Sequence, residues 1–249
     1  MRPHALTRRD AIRQGLAAAG VFAFARRTAE PRLRSRPGAP TVAAPTPGQL
    51  EFSAGGLRAL AYVPREVTPG DASPLVLFLH GALRRPELYL ERHMDVADAT
   101  GTIVLAPYST IGTWDAIRSG DFGADVPGID GTLAWVFARW RVDPARIVMS
   151  GFSDGGSYAL SLGLANGDLF ARIAAWSPGF IVPAKHVGRP PILITHGTRD
   201  EILPIDRTSR RIVPELRAAG YTVDYREFDG PHAIQQPQLD AMVHQLAGR

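Results

Sequence analysis

From about residue 49 onward, short apolar runs alternate with longer stretches in which apolar residues return every three or four positions. The first pattern is that of strands and the second that of amphipathic helices. Runs at 57–63, 75–79, 103–106, 146–149, 173–176, 192–195 and 222–228 predict seven strands. Helical spacing predicts helices over about 87–99, 129–140, 154–165, 208–219 and 235–247. Leu75-Val76-Leu77-Phe78-Leu79 and Ile192-Leu193-Ile194 are apolar at every position, as strands are when helices cover both faces of their sheet. The alternation therefore predicts one α/β domain over residues 50–249, with a doubly wound, mainly parallel sheet. About fifteen residues separate Trp176 from the next strand, too few for a large lid.

The first fifty residues lack this pattern. Arg8 and Arg9 precede an eleven-residue run rich in Ala and Gly that ends Ala23-Phe24-Ala25. Such a run is too short to span a bilayer, for which about 20 residues are needed. It resembles a twin-arginine export signal with an A-x-A cleavage site over residues 1–25, which implies handling by export machinery and a periplasmic or secreted product without a stable membrane anchor. Residues 26–49 hold Pro31, Pro37, Pro40, Pro45 and Pro47 among Arg, Ala and Thr, a composition that predicts a disordered linker.

With 45% hydrophobic and 21% charged residues, the 249-residue chain has the balance of a globular protein. Its formal charge of +4 would invite a nucleic-acid reading if the charge lay on the folded part. It does not: the first 49 residues carry nine Arg against Asp10 and Glu30, and the remainder is slightly acidic. No nucleic-acid partner is expected. The absence of Cys excludes disulfides, thiolate metal sites and a cysteine nucleophile.

Between the strand at 146–149 and the helix at 154–165 lies Ser150-Gly151-Phe152-Ser153-Asp154-Gly155-Gly156. Here G-x-S-x-G reads Gly151, Ser153 and Gly155, in the strand-turn-helix setting of a nucleophile elbow. So tight a turn brings the residues two before and two after the serine together, and a Cβ at either would clash. A serine hydroxyl needs a base and a group that orients the base, in the order Ser, acid, His. Asp200 follows the strand at 192–195, with Glu201 and Asp206 as nearby alternatives, and His232 follows the strand at 222–228. All three would emerge on the carboxyl edge of the sheet, where such folds bind ligands. His244 falls in a terminal helical pattern and His186 precedes no strand end, whereas His80 and His196 each precede a glycine and read as structural. Backbone N–H groups of Asp154 and of Ala82, with Leu83 as second choice, would form an oxyanion hole. Leu83, Trp114 and Ile202 are candidate substrate contacts, Trp114 on the long irregular stretch over 107–128.

These segments resemble the α/β-hydrolase superfamily and, more narrowly, the phospholipase/carboxylesterase family that includes acyl-protein thioesterases. The resemblance runs from about residue 75 to the C-terminus and rests on Leu79-His80-Gly81-Ala82, Thr113-Trp114-Asp115, residues 146–156, Ser177-Pro178-Gly179-Phe180, residues 196–204 and Gly230-Pro231-His232. Two positions depart from the family. Asp154 stands where a glutamine usually follows the nucleophile, and the oxyanion segment lacks the usual Gly-Asp after its apolar residue. The sequence is also similar to the polyhydroxybutyrate depolymerase and feruloyl esterase group. The resemblance implies hydrolysis of a small-molecule carboxylic ester without metal or organic cofactor. A prolyl-oligopeptidase-type peptidase and a non-catalytic binding protein remain as alternative readings.

Overall fold

The computed structural model describes residues 30–248. The expected export signal lies outside them. Eight strands form one sheet: β1 (Gly48–Ala54), β2 (Leu57–Val63), β3 (Ser73–Leu79), β4 (Ile103–Pro107), β5 (Val142–Phe152), β6 (Arg172–Trp176), β7 (Ile192–Gly197) and β8 (Val223–Phe228). Their spatial order is β1-β2-β4-β3-β5-β6-β7-β8. Strand β2 runs antiparallel to both β1 and β4, and every pairing from β4 to β8 is parallel. The helices are α1 (Pro86–Thr100), α2 (Asp115–Ser119), α3 (Asp125–Phe137), α4 (Asp154–Ala165), α5 (Ser209–Ala218) and α6 (Gln236–Ala247), with a 3-10 turn at Ile205–Arg207.

The period-two rule of strands divides the central residues between two cores. Leu75, Leu77 and Leu79 pack on one face with residues of α3 and α4, while Val76 and Phe78 pack on the other with Val96 of α1 and Leu239, Met242 and Val243 of α6. Both faces are thus covered, and the strands' carboxyl ends are left as one continuous edge.

Two sequence expectations are corrected by the fold. An eighth strand, β1, pairs with β2 along its full length from Gly48↔Val63 to Ala54↔Leu57. More significantly, the described part of the expected linker is docked. Leu33 is 1% exposed and belongs to the main core. Its N–H donates to the Asn166 side chain (2.8 Å), whose amide donates in return to the Pro31 carbonyl (2.8 Å). The N–H groups of Arg34 and Ser35 converge on one Asp130 oxygen (2.7 and 2.8 Å), and Arg32 and Arg36 share Asp168. Further along, the Thr41 and Val42 N–H groups meet the Ala138 carbonyl. Composition misjudged this strap because it buries one leucine and satisfies its backbone on side chains more than ninety residues away.

Candidate active site

Strand β5 ends in the turn that holds Ser153 at φ 58°, ψ −119°. A Cβ on Gly155 would lie 2.0 Å from the Leu79 carbonyl oxygen, and one on Gly151 would lie 2.2 Å from the Gly155 carbonyl oxygen. Only glycine fits at these two positions. The strained Ser153 backbone is fixed on both sides: its N–H donates to the Trp176 carbonyl (2.8 Å), and its carbonyl accepts from the Ser157 N–H (2.9 Å). Asp154 opens α4, where a helix's first N–H groups have no carbonyl of their own turn to meet.

The loop after β3 lies directly against this turn, since a Cβ on Gly81 would come 3.3 Å from the Ser153 Cβ. His80 is fully buried and bridges two strand ends: Ser109 N–H donates to Nε2 (3.0 Å), so the Nδ1 proton goes to the Gly81 carbonyl (2.6 Å). Burial pushes its imidazole down to about 4, so it stays neutral near pH 7 and serves as loop framework, as the sequence reading has it. Leu83 and Arg84 follow with positive φ of 81° and 51°, and Leu83 is 62% exposed at the rim.

Trp114 is a correction. Its side chain has no exposed surface, stacks between His80 and Tyr158, and donates Nε1–H to the His80 carbonyl (2.8 Å). It braces the loop after β3 from behind and does not line a pocket. The irregular stretch that carries it is held by two carboxylates: Asp115 accepts from the N–H groups of Gly123 and Asp125, and Asp125 from those of Thr110 and Asp115.

At the carboxyl end of β7, Asp200 is buried, accepts three hydrogen bonds and has a fourth donor within reach. Oδ1 takes the Ile202 and Leu203 N–H groups (2.9 and 2.8 Å), while Oδ2 takes His232 Nδ1 (2.5 Å) and lies 3.0 Å from His196 Nε2. Burial pushes this carboxyl upward, but the bonds from His196 and His232 outweigh it and hold it well below the ordinary carboxylate range. A depressed acid stabilises the fold above its unfolded value of about 4, and that contribution is lost as pH falls through the depressed value. Ile202 is half-buried and enters the site through its N–H on Asp200.

The His232 loop crosses the end of β7 so closely that a Cβ on Gly197 would lie 2.4 Å from the Gly230 and Pro231 carbonyls. Arg92 of α1 ties the loop's exit by donating to the Ile234 carbonyl (3.0 Å). The His232 ring rests 4.6 Å, centroid to centroid, from that of Phe152, the residue before Ser153. The Asp200 carboxylate therefore orients the His232 imidazole directly, and the imidazole lies beside the Ser153 turn.

Asp154 turns its carboxylate into the same region. Thr113 Oγ donates to it (2.6 Å), and burial pushes its pKa above the ordinary carboxylate value against that bond and the nearby His232 imidazole, both of which lower it. Its negative charge favours imidazolium. Asp154→Asn is accordingly expected to move the acid limb of the kcat/KM profile to lower pH, by about half a unit for one partly screened charge. A limb that stays put or rises in a pH-rate titration would show that this carboxylate does not act on the base. Thr113 escaped the sequence reading as a site residue because nothing local marks a threonine whose partner lies 41 positions away.

Residues 129–248 match the family model described as phospholipase/carboxylesterase, a span that holds Ser153, Asp200 and His232. The fold is that of an α/β-hydrolase, and the matched span is similar to the phospholipase/carboxylesterase family. It is 30% identical over 150 residues to the bifunctional acetylxylan esterase/xylanase XynS20E of Neocallimastix patriciarum, covering 57% of this chain and 21% of that protein. Identity is 31% over 151 residues to NocK of Nocardia uniformis subsp. tsuyamanensis, named for an inferred esterase activity, covering 56% of this chain and 43% of that one. The chain thus spans less than half the length of either relative. The crystal structure of esterase PE8 superposes with a TM-score of 0.63 at 25% identity, covering 77% of this chain and 98% of that one. The family match over this span, the strand order and the parallel sheet agree.

Proposed function

We propose that this domain is a serine carboxylesterase that cleaves esters of small or medium acyl groups through an acyl-enzyme. The observation that carries the reading is the 2.5 Å bond from His232 to a buried Asp200 carboxylate, with the imidazole lying against the residue that precedes a strained Ser153. Ser153 attacks the ester carbonyl. His232 takes its proton through Nε2 and returns it to the leaving alcohol, while Asp200 fixes the imidazole tautomer and stabilises the imidazolium. The Asp154 and Ala82 N–H groups meet the developing oxyanion, each worth about 3 to 4 kcal/mol of transition-state stabilisation. Water then repeats the sequence on the acyl-enzyme.

The short connection between β6 and β7 and the exposed rim at Leu83 favour an open site over one that needs a lipid interface. A fluorophosphonate probe should label wild-type protein at Ser153, and 4-nitrophenyl esters should turn over while proline peptides remain intact. No labelling would reject the reading, and cleavage of proline peptides would favour a peptidase. Acyl chains of increasing length and phenolic esters, compared in one screen, separate a short-acyl esterase from a feruloyl-esterase-like or polyhydroxybutyrate-depolymerase-like enzyme.

We also propose that the chain is exported by the twin-arginine route. Replacing Arg8 and Arg9 by Lys should retain the precursor in the cytoplasmic fraction; an unchanged distribution on fractionation would remove the proposal.

A further inference from the structure

The sequence reading treats His196 as a framework residue that satisfies loop backbone. The structure gives it one backbone contact and two others. Its side chain is completely buried, Nε2 lies 2.8 Å from the Leu203 carbonyl and 3.0 Å from Asp200 Oδ2, and Nδ1 lies 2.7 Å from the Ser209 hydroxyl. A carbonyl and a carboxylate oxygen around Nε2 both need a donor, so the proton sits there, and the Ser209 hydroxyl donates to Nδ1. Ser209 is itself buried at the start of α5.

We infer that His196 is a positioning residue for ester hydrolysis: it donates to the same Asp200 oxygen that receives His232, and Ser209 locks it in the tautomer able to do so. The inference rests on the triad proposed above. Asp200 Oδ1 is anchored by two backbone N–H groups, but those alone leave the second oxygen with His232 as its one partner and a lone pair facing a dry interior. The His196 Nε2 proton, shared with the Leu203 carbonyl, reaches that lone pair. It fixes the carboxylate plane that aims His232 and withdraws negative charge that would otherwise bind the imidazolium more tightly. Two histidines thus compete for one oxygen, and only His232, with a side chain 14% exposed, faces the elbow.

The other charged groups around this relay are named so that their fields can be held constant. Asp154 faces His232 from α4. Glu227 is the register partner of His196 on β8, acts on it electrostatically, and is itself held by Arg210 and Tyr225. Asp206 pairs with Arg210, and Arg199 pairs with Asp229 beside the loop.

The test compares His196→Phe, which keeps a ring and loses the donor, with His196→Gln, whose amide can still donate, and with Ser209→Ala. His196→Phe should lower kcat about 10- to 100-fold, the loss seen when a group orienting a ligating imidazole is removed, with KM little changed. Its acid limb should move to higher pH, opposite in direction to Asp154→Asn. His196→Gln should recover most of the rate and return the limb, and Ser209→Ala should shift both part of the way. A structural role alone would lower the melting temperature and leave the limb in place, and that result would overturn the inference. If His196→Phe yields no folded protein, Ser209→Ala decides: an unchanged rate and limb overturns the inference, and a raised limb supports it. Fluorophosphonate labelling of the wild type keeps the two claims separate. An unlabelled Ser153 defeats the proposed function, whereas a labelled enzyme with an unmoved limb defeats the role of His196 alone.

Discussion

Ser153→Ala is expected to lower kcat on 4-nitrophenyl acetate by about four to six orders of magnitude, the range lost when a nucleophile acting as part of a triad is removed. The residual rate would come from binding and from the backbone donors at Ala82 and Asp154, which the substitution leaves in place. The fold should survive, because both bonds that hold this residue, to the Trp176 carbonyl and from the Ser157 N–H, are main-chain bonds. Alanine keeps the same positive φ, so the strain persists and the melting temperature should stay about level. Ester turnover, fluorophosphonate labelling and thermal unfolding of the same preparation check all of this, and a fully active Ser153→Ala enzyme would discard the mechanism.

The second large effect concerns stability. Leu33→Ala should destabilise the domain by about 2 to 5 kcal/mol, as for other buried leucines whose cavity cannot fully collapse. At about 2 to 4 °C per kcal/mol for a domain of this size, the melting temperature should fall by about 4 to 20 °C. Removing the chain through residue 47 should cost more, since it also strips the partners from the buried Asn166 side chain and from Asp130. Val42→Ala is the control: that side chain is 47% exposed on the same strap, and its loss should fall within about 0.5 kcal/mol of zero. Equal melting temperatures for Leu33→Ala and Val42→Ala would mean that the strap does not hold the fold.

The sheet was readable because its middle strands are apolar on both faces, a pattern that surface elements do not imitate. All seven expected strands occur, and β5 is longer than its expected run because residues 142–145 precede it and residues 150–152 follow it in the same strand. The elbow was readable because sterics force two glycines at fixed offsets from Ser153. What escaped shares a different physics. Strand β1 alternates half-buried and exposed positions at an edge, the strap is held by side chains distant in sequence, and helix α2 is a single turn fixed by Asp115 and Asp125. Trp114 looked like a pocket wall because aromatic residues on loops serve recognition and packing alike, and its burial against His80 is a tertiary fact. For His196 a signal did exist: it sits four positions before Asp200 on a strand that turns back at that end, close enough for both side chains to meet.

The order in which the proposed reacting groups leave the ribosome follows from the sheet. The elbow on β5 and the acid after β7 are synthesised well before β8 and the loop that bears His232, which is seated only once Arg92 can grip Ile234. A growing chain therefore carries a serine without its base. On the proposed mechanism, the domain stays chemically silent toward esters until β8 and the His232 loop are in place and that edge of the sheet is complete.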